Sequence, residues 1–206
     1  MAALALLVWS LAVASDAAAQ VEEPVRAPES RGASVAKFLA GAGIGLVTHE
    51  AGHLLFDAIF DADPRIRKVD FHGIPFFAIT HTPGLPPRQE FTISSAGFWV
   101  QHAENEWLLS RRPEFRRQHA PLAKGVFTFN VLASVAYSGA AFARTGPVER
   151  DTRGMADSAR IDERWIGALI LAPALLDAWG YFHPDARWAA WTSRAVKIGM
   201  VVMVVR

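Results

Sequence analysis

Five long apolar stretches dominate this chain of 206 residues, and they limit the folds available to it more than any other feature. They cover about residues 35–60, 91–109, 122–143, 165–182 and 188–205. A helix needs about 20 mostly apolar residues to cross the hydrocarbon core of a bilayer. The third stretch meets this requirement, the fourth and fifth come close to it, and the second carries ionisable side chains that predict only half burial. The sequence therefore predicts a mainly α fold, a polytopic membrane helix bundle.

Composition supports this reading and removes several classes of function. The chain is 51% hydrophobic, which is high for a domain that must also present a wet surface. Lys and Arg total 21 and Asp and Glu total 20, so there is no electrostatic reason to expect nucleic acid as a partner. Because the chain has no cysteine, disulfides and thiolate metal sites are excluded, and any metal must be held by His and carboxylate side chains.

The N-terminal region differs in composition from the rest of the chain. Residues 1–19 are apolar and rich in Ala, which predicts a secretory signal peptide with a small-residue cleavage site, or an uncleaved membrane anchor. Residues 20–33 contain Pro24, Pro28 and several charged side chains, which is typical of an exposed linker. Residues 34–206 are then expected to form a single domain.

A short polar-aromatic segment separates the first two apolar stretches. Residues 69–80 place Phe, Ile and Thr around Gly73, a pattern that favours short strands or a hairpin. Pro75 would confine such a strand to the edge of a sheet, because it lacks a backbone N–H. We therefore expect a short β-hairpin-like insert.

The first apolar stretch contains the motif His49-Glu50-Ala51-Gly52-His53. Residues four apart lie on the same face of a helix, so His49 and His53 can present two imidazoles to one zinc ion. Glu50 lies beside them and can take a proton from a water molecule activated by the metal.

This five-residue pattern also occurs by chance in unrelated proteins, and its surroundings decide its interpretation here. Ionisable groups cost several kcal/mol in an apolar membrane helix, so they are candidates for function by default. Three such groups at the spacing of metal ligands are hard to explain by packing. Upstream, Gly41, Gly43 and Gly45 recur at every second position, and we interpret them as sites of close helix packing.

Taken together, these motifs resemble the site-2-protease class of membrane metalloproteases, especially its small bacterial branch. Four features over roughly residues 35–180 carry the resemblance: the motif helix, the β-like insert that follows it, the small-residue turn at 93–98, and the Asp-led segment at 151–156. The resemblance implies a multi-pass protein of the bacterial inner membrane that hydrolyses peptide bonds, with Zn²⁺ as cofactor and Glu50 as general base. The chain lacks the Leu-Asp-Gly or Asn-Pro-Asp-Gly motif of the larger site-2 proteases.

Catalytic zinc usually takes three protein ligands and one water, so a third ligand is needed. The resemblance implies Asp151. Four other carboxylates remain open from the sequence: Asp157, which is close by in a highly charged segment, Asp177, which lies within an apolar stretch beside Pro173, and Glu104 or Glu106, which would complete a His-His-Glu site.

The resulting expectation is a zinc-dependent membrane-embedded endopeptidase that acts on membrane-associated proteins or peptides. The alternative is a catalytically silent membrane scaffold or binding protein that keeps the metalloprotease fold. Glu50 argues against the alternative, because a scaffold has no need for a general base between two histidines. A soluble zinc protease is disfavoured by the length of the apolar stretches.

Overall fold

The backbone is mainly helical, in keeping with the apolar stretches of the sequence. In this computed structural model, residues 29–71, 74–112 and 114–205 are described, and side chains are described except at 70–76 and 202–205. The expectations for residues 1–19 and for most of the 20–33 linker lie outside the described residues. The elements are α1 (Arg31–Ile59), β1 (Arg65–Phe71), β2 (Ile74–Thr80), α2 (Pro87–Arg111), α3 (Pro121–Ala143), α4 (Asp151–Ala159), α5 (Glu163–Phe182) and α6 (Arg187–Val205).

Local sequence signals explain where several helices begin and end. Pro87 and Pro121 occupy the first turns of α2 and α3, where a missing N–H costs no helical hydrogen bond. Asp162 caps α5 by accepting a 3.0 Å hydrogen bond from the backbone N–H of Arg164. The small-residue segment at 93–98, expected as a turn that opens the second apolar stretch, lies instead inside α2, because Pro87 starts that helix six residues earlier.

The insert after α1 is a two-stranded antiparallel hairpin. Its register runs from the pair Arg65 and Thr80 to the pair Phe71 and Ile74. The first strand thus begins four residues before the expected segment at 69–80. The charged residues of β1 made its true start hard to predict. A two-stranded sheet leaves much of its surface exposed to solvent, so it tolerates charged side chains that do not show the pattern of a strand. Pro75 pairs with Asp70, and both strands have an open edge, as expected for a strand that contains proline.

Two clusters of buried apolar side chains hold the helices of the unit Ser34–Arg206 together. The first joins α2, α4 and α5, and consists of Phe91, Phe98, Met155, Ala156, Ile166 and Ile170. The second joins α2, the loop after it and α3, and consists of Leu108, Phe115, Val126 and Phe127. The first cluster fixes the short helix α4 against α2.

Glycines allow α1 to pack closely on its neighbours. A methyl group on Gly41 would collide with the backbone of Leu122 in α3, and one on Gly45 would lie 3.2 Å from Asn130 Oδ1. The packing role expected for Gly41 and Gly45 is therefore confirmed, whereas Gly43 faces open space. A methyl on Gly52 would lie 2.9 Å from the carbonyl oxygen of Ala96, so the motif itself requires a small residue where α1 meets α2.

Two helices within the described residues are long and apolar enough to cross a membrane, namely α3 and α5. The other three apolar stretches also form helices, but within the described part of the chain they do not meet the same combined requirement of length, hydropathy and few charged residues. The structure thus supports two candidate spans by length and composition.

Candidate metal centre

Helix α1 places His49 and His53 one turn apart on the same buried face. These residues are 2% and 5% exposed, and their Nε2 atoms lie 3.2 Å apart. The sequence predicts this arrangement from the spacing of four residues, because 3.6 residues complete one helical turn.

Asp151, the first residue of α4, supplies a carboxylate to the same point. Its Oδ2 atom lies 3.2 Å from His49 Nε2 and 3.5 Å from His53 Nε2. Atoms that coordinate one tetrahedral ion at about 2.05 Å are about 3.3 Å apart, so the three separations match those of a small tetrahedral site. Among the described residues, His49, His53 and Asp151 form a group that could hold a metal ion.

The start of α4 is fixed by an ion pair before Asp151 and a hydrogen bond after it, both to Glu163. Arg150 donates from Nε and Nη2 to both carboxylate oxygens of Glu163, at 2.7 and 2.6 Å. Thr152 donates its hydroxyl to the same carboxylate at 2.7 Å. Arg150 and Glu163 are nearly buried, and a bidentate pair of this kind is geometrically specific. Asp151 is thereby held facing α1.

The electrostatics of the site favour the ionised form of Asp151. Burial opposes its ionisation, but the charges and hydrogen bonds of His53 and His49 outweigh burial and hold its pKa well below the usual range. The carboxylate is therefore charged at neutral pH and ready to bind a cation.

The second nitrogen of His53 has a partner that orients the ring. His53 Nδ1 lies 2.7 Å from the carbonyl oxygen of Ile93 in α2, so that nitrogen carries the proton and donates it. Nε2 faces Asp151 and His49, and its lone pair becomes available to a metal ion that displaces its proton. Ligating histidines are commonly fixed in this way, through the ring nitrogen that does not bind the metal.

Two residues that were not predicted from the sequence to belong to the site, Gly97 and Tyr137, also contact it. A methyl group on Gly97 would lie 2.6 Å from His49 Nε2, so only glycine leaves room for the imidazole against α2. Tyr137 of α3 lies with its ring 5.9 Å from that of His49, and its hydroxyl interacts with Asp151. Tyr137 packs partly buried against Phe98. Gly97 was within reach of sequence reasoning, since it follows a run of small residues on the helix facing the motif.

Glu50 lies next to the group that could hold a metal ion. It follows His49 on α1, is half-buried, and interacts electrostatically with His49, His53 and Asp151. It is not part of the group that could hold the metal.

The other candidate third ligands lie elsewhere and have other partners. Asp157 is 74% exposed and pairs with Arg153. Asp177 accepts hydrogen bonds from Ser193 at 2.6 Å and Lys197 at 2.8 Å. Glu106 pairs with Arg194 and Lys197, and Glu104 accepts a hydrogen bond from Asn130. Of the five carboxylates considered, the structure brings Asp151 to the two histidines.

His81 forms a separate contact with two acids. It lies 2.8 Å from Glu90 and 3.4 Å from Asp57, the next acidic residue along α1 after the motif. The hydrogen bond to Glu90 and the charges of both carboxylates raise its pKa, although burial acts in the opposite direction. This contact ties the end of the hairpin to α1 and α2. His72 lies outside the described residues.

Comparisons with family models, with curated proteins and with solved structures find no match to this chain.

Proposed function

We propose that this protein is a zinc-dependent endopeptidase embedded in a membrane, similar in mechanism to the site-2-protease class. The observation that carries the proposal is the convergence of His49, His53 and Asp151 beside Glu50. Two histidines and one carboxylate leave a fourth tetrahedral position for water, which is the usual ligand set of a catalytic zinc site. Carboxylate and imidazole together also suit zinc better than the hard cations Ca²⁺ and Mg²⁺, which prefer oxygen.

The bound zinc would act as a Lewis acid on the substrate carbonyl and make a water molecule acidic near neutral pH. His49 and His53 would hold the ion through Nε2, and Asp151 would offset part of its charge. Glu50 accepts the proton of the attacking water and then delivers it to the leaving amine. Tyr137 holds the carboxylate of Asp151, and Ile93 holds the ring of His53, so that the ligands are oriented before substrate arrives.

Exposed apolar side chains support a place in the bilayer. On α1, α3 and α5 alone, the large hydrophobic residues that are more than half exposed are Val35, Leu39, Val47, Ile59, Leu132, Trp165, Leu175 and Phe182. Such surfaces are unfavourable in water and are expected where lipid covers them. We propose a multi-pass protein of the bacterial inner membrane, with α3 and α5 as the spans best supported by length and hydropathy.

The hairpin is the proposed docking site for the substrate backbone. An extended peptide can add to the open edge of a sheet through main-chain hydrogen bonds. Arg67 of β1 forms a 2.9 Å ion pair with Glu149, which precedes Asp151 by two residues. A peptide bound to the hairpin would therefore lie near the metal centre. The substrate would be a membrane-associated protein or peptide.

The decisive test compares cells that express the wild type with cells that express Glu50→Gln. The membrane proteins of both are mapped for new N-termini, and the zinc content of both purified proteins is measured. We expect new termini with the wild type only and equal zinc in both, since Glu50 is a base and not a ligand. Glu114→Gln, the same change at an exposed position, is the control and should cleave like the wild type.

Identical termini in wild-type and Glu50→Gln cells would contradict hydrolysis by this site. The alternative function is a catalytically silent membrane scaffold or binding protein. It would be favoured if the wild type holds zinc but produces no new termini.

A further inference from the structure

The two histidines of the metal centre differ in how their outer nitrogens are satisfied. His53 Nδ1 has the carbonyl oxygen of Ile93, whereas His49 Nδ1 is buried and has no protein partner. A ligating histidine normally donates this N–H to a carboxylate, a carbonyl or a water molecule, which fixes its tautomer. His49 therefore requires an acceptor that is not in direct contact with it.

The packing of α1 on α2 shows which part of α2 faces His49. The two helices run antiparallel where they pack together. Going backwards along α1, His53 contacts Ile93, Gly52 contacts Ala96 and His49 contacts Gly97. One turn earlier in α1, Gly45 meets Asn130 of α3.

Asn130 lies beside Gly45 of α1 and is hydrogen-bonded to Glu104 of α2. Its Nδ2 donates a 2.9 Å hydrogen bond to Glu104 Oε2. Glu104 also interacts with the Thr48 side chain and with the charge of His49.

Three more buried polar atoms, on Gln101 and Asn130, lack a hydrogen-bond partner in the protein. Both amide atoms of Gln101, one helical turn after Gly97, are buried and unpaired, as is Asn130 Oδ1. Buried polar groups are nearly always hydrogen-bonded, and where protein atoms do not provide the bond an ordered water does. Gln101 and Asn130 thus provide the polar surroundings that a bridging water needs between His49 and Glu104.

We propose that Glu104 is the positioning residue of the metal centre, which accepts the Nδ1 proton of His49 through a buried water held by Gln101 and Asn130. The carboxylate fixes the tautomer in which His49 Nε2 can bind the metal and makes that nitrogen more basic. Asn130 holds Glu104 in place by its amide hydrogen bond. This inference rests on the metal site proposed above, and it gives a role to the acid that the sequence considered as a ligand.

The test is the zinc affinity of the detergent-purified protein, measured by competition with a chromophoric chelator. Glu104→Gln should bind zinc about 10- to 100-fold more weakly than the wild type, because loss of an outer partner of a ligating histidine has an effect of this size. The visible spectrum of the Co²⁺-substituted protein should also change, since the orientation and basicity of His49 change. Glu106→Gln is the matched control, as it neutralises a glutamate two residues away that pairs with Arg194 and Lys197, and it should bind zinc like the wild type.

Three results would overturn the inference. One is wild-type affinity and an unchanged Co²⁺ spectrum in Glu104→Gln. Another is a loss of affinity in Gln101→Leu without a loss in Glu104→Gln, which would make Gln101 the positioning residue. The third needs no variant and covers the case in which Glu104→Gln does not fold: a structure of the zinc-loaded wild type in which no water joins His49 Nδ1 to Glu104.

Failure of the proposed metal site would look different from these results. In that case the wild type itself would not bind zinc, and no comparison among the glutamate variants would be needed to see it.

Discussion

Gly97→Ala is the substitution that most sharply tests the geometry of the metal centre. Gly97 lies in the middle of α2 with the imidazole of His49 directly over its Cα. The added methyl would lie 2.6 Å from His49 Nε2. Carbon and its neighbours prefer separations of about 3.5 Å or more, so the ring or the helix must move by about 1 Å.

The expected effects on folding and on metal binding differ in size. Replacing Gly by Ala within a helix stabilises it by about 0.5–1 kcal/mol, while overpacking a tight site costs about 1–3 kcal/mol. The net loss of folding stability is thus about 0–2.5 kcal/mol. Metal–ligand distances tolerate only about 0.2 Å, so a ring displaced by about 1 Å loses its bond, and we expect zinc affinity to fall by about 100-fold or more.

The assay combines chelator competition for zinc with thermal unfolding of the metal-free protein in detergent. Gly43→Ala is the control, because Gly43 lies on α1 with open space around its Cα. It should stabilise the helix slightly and leave zinc affinity unchanged. Wild-type zinc affinity in Gly97→Ala would refute the proposed position of His49 at the metal.

Two further outcomes are expected. Asp151→Asn should weaken zinc binding by about 10-fold or more, because the charge of the ligand is lost. The control Asp157→Asn, at an exposed position, should match the wild type in the same competition assay. Equal zinc affinity in all three proteins would exclude Asp151 as a ligand. When membranes are washed with alkaline carbonate or high salt, the protein should stay in the membrane pellet and dissolve only in detergent. The reason is that α3 and α5 are long and apolar enough to cross a bilayer. Release of folded protein by the wash would contradict the membrane location.

The helices were largely predictable from the sequence, and the physical reason is local. Each apolar stretch forms one helix, and prolines or a capping Asp mark where α2, α3 and α5 begin, so the expected and observed bounds differ by a few residues. Strand β1 was harder to predict, because a hairpin exposed on much of its surface shows no apolar alternation. The pairing of His49 and His53 on one face of a helix follows from helical spacing alone.

The third ligand depends on contacts that the sequence does not display. Asp151 and His49 are 102 positions apart, and their contact requires α4 to pack on α2 through Met155 and Phe98. Asp157 and Asp177 remained open as alternatives to Asp151, and their partners in the folded chain separate them from the site. Tyr137 illustrates the same limit, since an aromatic residue in an apolar helix fits a lipid anchor as well as a wall of the site.

The metal content of the purified protein tests the central claim most directly. Wild type and a His49→Ala, His53→Ala double variant are purified in detergent without added chelator, and their metals are measured by mass spectrometry. The convergence of His49, His53 and Asp151 predicts about one zinc per wild-type chain and a loss of that zinc in the double variant. Stoichiometric zinc that persists in the folded double variant, or a folded wild type that takes up no zinc, would contradict the account.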